Sequence, residues 1–204
     1  MMSVSKPLCT VIIPTIGRPK YFGAALASVA AQTYHPLNIL VSDNAAKPPI
    51  DHAEIHKLAP ANNVRLVRCP TRLAGAEHIN LCLKEADGEY LLLMSDDDLI
   101  APGYVSAAME CILRDPDVNV VVSKQTQIDE NFLKPVCDFP IDFKALPGNE
   151  YVTRWFTTGG LGVLTVFPML ARRLDILECG GLPNYPYTFG EEMSQSRSTN
   201  IRAL

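Results

Sequence analysis

The chain has 204 residues, of which 48% are hydrophobic and 20% charged, and its formal net charge is −4. That length suits one α/β domain with a continuous core and is short for two. With no Lys/Arg cluster tracking a helix, the composition excludes the electrostatic footprint of a nucleic-acid binder. Phosphate recognition would therefore need local help from a metal, an arginine or backbone N–H groups. Six cysteines (Cys9, Cys69, Cys82, Cys111, Cys137 and Cys179) are scattered with no CxxC pair, and read as small buried thiols of a reducing compartment. The opening MMSVSKPLCTVIIP lacks a long apolar stretch, so no signal peptide is expected. No apolar run approaches the roughly 20 residues of a membrane span.

In chain order, Cys9–Ile13 reads as a buried strand, followed by a loop punctuated by Pro14, Gly17 and Pro19. Tyr21–Gln32 carries Phe22, Leu26 and Val29 at helical spacing. Asn38–Val41 is a second strand, ending in Ser42-Asp43-Asn44. Asp51 with Glu54 resembles a capping box for a short helix with Ile55 and Leu58. Val64–Cys69 is a third strand, and Gly75–Ala86 a helix with Ile79, Leu83 and Ala86 on one stripe. Glu89–Met94 is a fourth strand, Pro102–Leu113 a helix with Val105, Met109 and Ile112 inward, and Val118–Ser123 a fifth strand. Alternation of this kind implies βαβ units and a mainly parallel sheet. Its near-continuous apolar strands imply cover on both faces. Beyond residue 128 the pattern weakens. Residues 129–149 read as a long loop, Glu150–Thr157 as a short helix, Val163–Leu170 as a strand, and Ala171–Glu178 as a helix ended by Gly180-Gly181.

Ser95-Asp96-Asp97-Asp98 follows directly on the strand EYLLLM. Three consecutive carboxylates repel one another unless a cation or open solvent relieves them. Hard oxygen ligands suit Mg²⁺ or Mn²⁺, which would also meet substrate phosphates. A solvated acidic turn before Pro102 is the plainer alternative. Position favours the ligand, because parallel sheets bind ligands at the carboxyl ends of their strands. Strand one ends there in Pro14-Thr15-Ile16-Gly17-Arg18 and strand two in Ser42-Asp43-Asn44. Together these edges describe a nucleotide-diphosphate pocket, with Asp43 for a base or ribose, Arg18 for charge and the carboxylates for a pyrophosphate-bound cation. His78 stands on a helix facing that pocket, where it either touches phosphate or fills a structural place. Extended geometry would point Asp96 and Asp98 the same way. His52 and His56 sit four apart without an HExxH pattern and read as surface residues. Trp155 and Phe156 could line an acceptor site or pack in the core.

Two stretches, VIIPTIGRPKYFGAALASVAAQTYHPLNILVSDN and GAEHINLCLKEADGEYLLLMSDDDLIAPGY, resemble the donor-binding half of a family 2 glycosyltransferase. Four elements occur in the expected order: the first strand with its Pro-Thr loop, Gln32-Thr33-Tyr34 at a helix end, the Ser-Asp-Asn turn, and Ala86-Asp87-Gly88-Glu89-Tyr90 before the acidic motif. The resemblance implies a GT-A fold, a Rossmann-like α/β/α sandwich. One domain would span 1–204, with residues 8–125 as the nucleotide-sugar half and 126–204 as an acceptor-side half that stops early. It further implies an inverting transfer from a nucleoside-diphosphate sugar with Mg²⁺ or Mn²⁺. Asp43 matches the position that contacts the base, while Ser42 replaces a common first Asp. Pro14, Thr15 and Ile16 lie in the base-binding loop, and Arg72 where a basic residue meets phosphate. Asp97 matches the metal-binding aspartate, with Asp96 and then Asp98 as companions. Gly190-Glu191-Glu192, preceded by Gly180-Gly181-Leu182, matches the segment of the catalytic base, Glu191 ahead of Glu192. The acceptor would be a saccharide or a lipid-linked saccharide in polysaccharide or glycoconjugate assembly, and the location cytoplasmic, at the inner membrane face if the chain associates peripherally. A homo-oligomer stays open.

Two other readings stand beside this one. A sugar-phosphate nucleotidyltransferase would want a Gly-rich loop with Lys or Arg after strand one, for which PTIGRP is a poor substitute. A catalytically silent sugar-nucleotide-binding domain fits a chain that stops soon after Glu192.

Overall fold

A computed structural model of the chain describes residues 5–124, 146–150 and 164–183. Its elements run β1 (Cys9–Thr15), α1 (Pro19–Ala30), β2 (Leu37–Asp43), α2 (His52–Leu58), β3 (Asn63–Arg68), α3 (Gly75–Glu85), β4 (Tyr90–Leu93), α4 (Tyr104–Arg114), β5 (Val120–Lys124), β6 (Leu164–Arg172) and α5 (Arg173–Glu178). The strand order is β3-β2-β1-β4-β6-β5. Strands β1 to β4 are mutually parallel where they pair, and β6 runs antiparallel to both β4 and β5.

Strand alternation divides the core between two faces. Val11 and Ile13 of β1 point into a cluster with Phe22 and Leu26 of α1, Ile55 of α2, and Val105, Met109 and Ile112 of α4. Ile12, between them, points the other way, with Leu91 and Leu93, onto Cys82 and Leu83 of α3 and Ile176 of α5. The result is the expected α/β/α sandwich with a mainly parallel sheet. The stripes read from periodicity, Phe22/Leu26/Val29 and Val105/Met109/Ile112, are the buried faces of α1 and α4. Each such side chain contributes about 1.5–3 kcal/mol through burial. Among the described residues, no helix is long and apolar enough to cross a membrane.

Three differences from the sequence reading have physical causes. β6, expected over 163–170, extends through Arg172, because Ala171 and Arg172 pair with Leu91 and Tyr90; α5 accordingly starts at Arg173 rather than Ala171. β5 begins at Val120 rather than Val118, after a turn in which Val118 N–H donates to Asp115 O at 3.1 Å. β6 also inserts between β4 and β5, a placement no local pattern could announce. Gly180 and Gly181 end α5 as expected, both with positive φ, their N–H groups donating to Leu177 O and Ile176 O. Of the helix expected at 150–157 only Glu150 is described, and Trp155 and Phe156 lie outside the described residues.

Two motifs tie the layers together. Gln32, at the end of α1, accepts the Val105 N–H at 3.0 Å and donates to Ala101 O at 2.7 Å. It thereby caps α4 from a distant part of the chain, where α4 has no side-chain cap of its own. Below β4, Thr10 Oγ1 donates to Asp87 Oδ1 at 2.9 Å and accepts the Gly88 N–H at 2.9 Å. A Cβ on Gly88 would stand 2.6 Å from Thr10 N, 2.7 Å from Thr10 Oγ1 and 2.7 Å from Tyr90 O. Gly88→Ala should therefore destabilise the domain by about 1–3 kcal/mol through overpacking, read as a lowered urea midpoint.

Candidate active site

In this strand order the chain builds leftward from β1 through β2 and β3, then crosses to place β4 on the other side of β1. The carboxyl ends of β1 and β4 lie side by side, and the ligand crevice of an open α/β sheet lies above strand ends where the strand order reverses. The loop after β1 and the acidic motif after β4 meet there. Thr15 Oγ1 donates to Asp96 Oδ2, joining the two strand ends. Thr15 Oγ1 also accepts the Gly17 N–H at 3.0 Å, which shapes the turn. Gly17 has φ +77°, and a Cβ there would lie 2.4 Å from the Ala46 Cβ, so only glycine lets this turn pack on the loop after β2.

Arg18 follows that turn. Its Nε donates to Asp96 Oδ1 at 3.0 Å and a terminal nitrogen reaches the same oxygen, while the other terminal nitrogen donates to Asp97 Oδ2 at 2.7 Å. Asp96 is 2% exposed and Arg18 38% exposed, so the fork spans from interior to solvent. Ser95 Oγ donates to the other oxygen of Asp97. Burial acts upward on the Asp97 carboxyl, but the Ser95 hydrogen bond and the Arg18 charge outweigh it and hold the group below the usual carboxylate range. For Asp98 the balance falls the other way. Burial, then repulsion from Asp97 and Asp96, only partly offset by Arg18, push its carboxyl up to about 6.

The loop after β2 has a different logic. Asp43 is 0% exposed, and its carboxylate accepts the Ala46 N–H at 2.7 Å, the Ile50 N–H at 3.1 Å and Arg68 Nε at 3.1 Å. The residue expected at the base or ribose thus folds the 44–50 loop against which Gly17 packs. Arg68, which also donates to Ile50 O, went unremarked in the sequence, although an arginine at the carboxyl end of β3 beside Asp43 was a usable signal. Asn44 grips the next loop, donating to Leu73 O at 3.0 Å and accepting the Leu73 N–H at 2.8 Å. That leaves the adjacent Arg72 exposed at the rim. His78 is buried and its Nε2 shares a 2.8 Å hydrogen bond with Ser42 Oγ. Burial lowers its pKa despite nearby Asp43, so a neutral imidazole braces the loop from beneath. Pro14 is half-buried, and Ile16 and Leu99 are among the exposed large apolar side chains. Glu191 and Glu192 lie outside the described residues.

The donor chemistry at the crevice fits a hard divalent cation. Three carboxylates against one guanidinium leave the motif short of positive charge, and the repulsion from Asp97 and Asp96 adds to burial in raising Asp98. As they stand, though, no three His, Cys, Asp or Glu groups among the described residues converge on one metal position, since two of the acids turn onto Arg18. A shallow hollow of about 400 Å³ against α2 and β3, lined by His52, His56 and Asn62, shares no residue with the acidic motif. Its lining lacks paired carboxylates and the sheet's carboxyl edge, so the crevice is the better ligand site.

An unfolded Asp98 ionises near 3.8 and the folded one near 6. The contribution of Asp98 to stability should therefore fall as pH rises between these values and stay level above them, because the folded state retains the proton longer. Without divalent ions, Asp98→Asn should gain about 1 kcal/mol over wild type at pH 7.5, discounted for partial exposure, and almost nothing at pH 4. Urea unfolding at the two pH values measures this.

Comparison with known proteins identifies the fold and the family. The family model "Glycosyl transferase family 2" matches residues 10–181. An uncharacterized glycosyltransferase of Haemophilus influenzae is 23% identical over 127 residues, 61% of this chain and 42% of that protein. Among solved structures, S. aureus TarS 1-349 in complex with UDP-GlcNAc superposes with a TM-score of 0.60 at 18% identity, covering 84% of this chain and 47% of that one. The mannosyltransferase PcManGT from Pyrobaculum calidifontis, in complex with GDP-Man and Mn²⁺, gives 0.56 at 20% identity, covering 88% and 48%. The chain spans less than half the length of each of these three. Its fold is the GT-A fold of these structures, and with the family model matching most of its length the chain belongs to glycosyltransferase family 2.

Proposed function

We propose that this chain binds a nucleoside-diphosphate sugar across the β1–β4 crevice and transfers the sugar, with inversion, to an acceptor hydroxyl in a reaction requiring Mg²⁺ or Mn²⁺. The observation that carries the reading is the three-carboxylate cluster at the sheet's switch point, buried at Asp96 and short of positive charge at Asp98. The complexes of TarS with UDP-GlcNAc and of PcManGT with GDP-Man and Mn²⁺ support it, since both share the fold.

Asp97, Asp96 and Asp98 would hold the cation, which supplies charge neutralisation to the departing diphosphate. The remaining work falls to the chain. The loops after β1 and β2, locked together at Gly17 and Ala46, form a preorganised wall for the nucleotide. Pro14, Thr15 and Ile16 stand at that wall, and the exposed Arg72 offers a positive charge to phosphate. Inversion requires the acceptor oxygen to attack the anomeric carbon from the face opposite the diphosphate, with its proton taken as the bond forms. Glu191, or Glu192 beside it, is the base in this proposal, carried by the resemblance of Gly190-Glu191-Glu192 to the family's acidic pair. The acceptor is a saccharide or lipid-linked saccharide hydroxyl.

Titration of UDP-GlcNAc and GDP-Man by thermal shift, with and without Mn²⁺, tests the reading. A ligand at 100 times its Kd should stabilise the fold by about 2.7 kcal/mol. Asp97→Ala should abolish the Mn²⁺-dependent part of that shift while leaving the ligand-free melting temperature within a few degrees. An unchanged nucleotide affinity in this variant would count against the cation assignment. Glu191→Gln or Glu192→Gln should keep donor binding and lower transfer by at least about a hundredfold. Full activity in both moves the base elsewhere, and donor binding without transfer in the wild-type chain would favour the silent binding domain.

A further inference from the structure

Arg18 bridges Asp96 and Asp97, two of the acids that would hold the cation. Four carboxylate oxygens are available on those two residues, and all four are engaged. Thr15 holds one oxygen of Asp96 and Ser95 one oxygen of Asp97, and the Arg18 fork takes the remaining two. The Thr15 and Ser95 hydroxyls are neutral, short and compatible with a nearby ion. The guanidinium is positive and lies between the two carboxylates, so a divalent ion sharing those oxygens would meet it at close quarters. The Arg18 backbone is fixed at the start of α1, where its carbonyl accepts the Tyr21 and Phe22 N–H groups at 3.0 Å each. The side chain is free of that constraint and already 38% exposed, so it can swing out without disturbing the helix.

We propose that Arg18 is the resident counter-ion of the acidic motif, holding Asp96 and Asp97 while no metal is present and leaving them when a divalent cation binds. The inference rests on the cation assignment made above. It explains why a motif suited to a metal shows no converged ligand set among the described residues: the carboxylates are turned toward a cation the chain itself provides. It also gives the buried Asp96 a partner, without which its carboxylate would be costly.

Mn²⁺ titration followed by electron paramagnetic resonance, with no nucleotide present, tests this on wild type, Arg18→Gln, Arg18→Lys and Asp97→Asn, with circular dichroism confirming that each is folded. Arg18→Gln should bind Mn²⁺ about tenfold more tightly than wild type. Arg18→Lys, which keeps the charge without the two-pronged fork, should fall between them, and Asp97→Asn should lose binding. Should Arg18→Gln not fold, the Lys variant carries the test, with an affinity above wild type expected. Mn²⁺ affinity equal to or weaker than wild type in the folded Arg18 variants overturns this inference alone. Absence of Mn²⁺ binding in every variant overturns the cation assignment and this inference with it.

Discussion

Like charges crowded at the end of β4 are the constraint from which the rest of this site follows. Asp96, Asp97 and Asp98 leave a fully buried strand and cannot all reach open water, because the loop after β1 closes over the first of them. Each carboxylate meets a different fate. Asp96 is taken inside and satisfied by Thr15 and Arg18, Asp97 stays at the surface under Arg18 and Ser95, and Asp98 carries what repulsion is left. In the proposed reaction a divalent cation and a diphosphate would together complete a site that cannot be neutral by itself.

The loop after β2 shows the opposite use of a carboxylate. Asp43 is as buried as a core valine, yet it accepts two backbone N–H groups and an arginine and so organises a loop that has no secondary structure of its own. From Asp43 the order passes through Ala46 to Gly17, and from Gly17 to Thr15 and Arg18 at the acidic motif. The two edges of the proposed nucleotide wall are thus one mechanical unit. Ser42 and His78 support it from the α3 face with a neutral hydrogen bond.

Several of the motifs that carry the family resemblance prove to be framework. Gln32 caps α4 across the α1 and α4 layer, Tyr34 donates to Pro7 O at 2.7 Å, and the Asp87-Gly88 pair clamps the lower end of β4 to Thr10 of β1. These contacts fix the height and spacing of β1 and β4, and with them the width of the crevice above. The residues facing that crevice are fewer, and they come from loops, as is usual where a rigid sheet presents variable chemistry.

Much of this was legible from residues alone. Helical spacing of Phe22, Leu26 and Val29, and of Val105, Met109 and Ile112, identified the buried faces of α1 and α4, because burial imposes that period directly on the chain. The alternation of elements implied the parallel sheet, and the carboxyl ends of three strands pointed to the proposed site. Chain order, however, could not say that β6 slips antiparallel between β4 and β5, since pairing across the sheet depends on neighbours far away in sequence. Nor could it turn Asp43 inward onto Arg68, or lay Arg18 across Asp96 and Asp97 some eighty residues on. Residue type and period determine which groups are apolar, charged or able to ligate. Which charges meet, and which are left unrelieved, is a matter of distance, and distance between remote residues is decided only when the sheet closes.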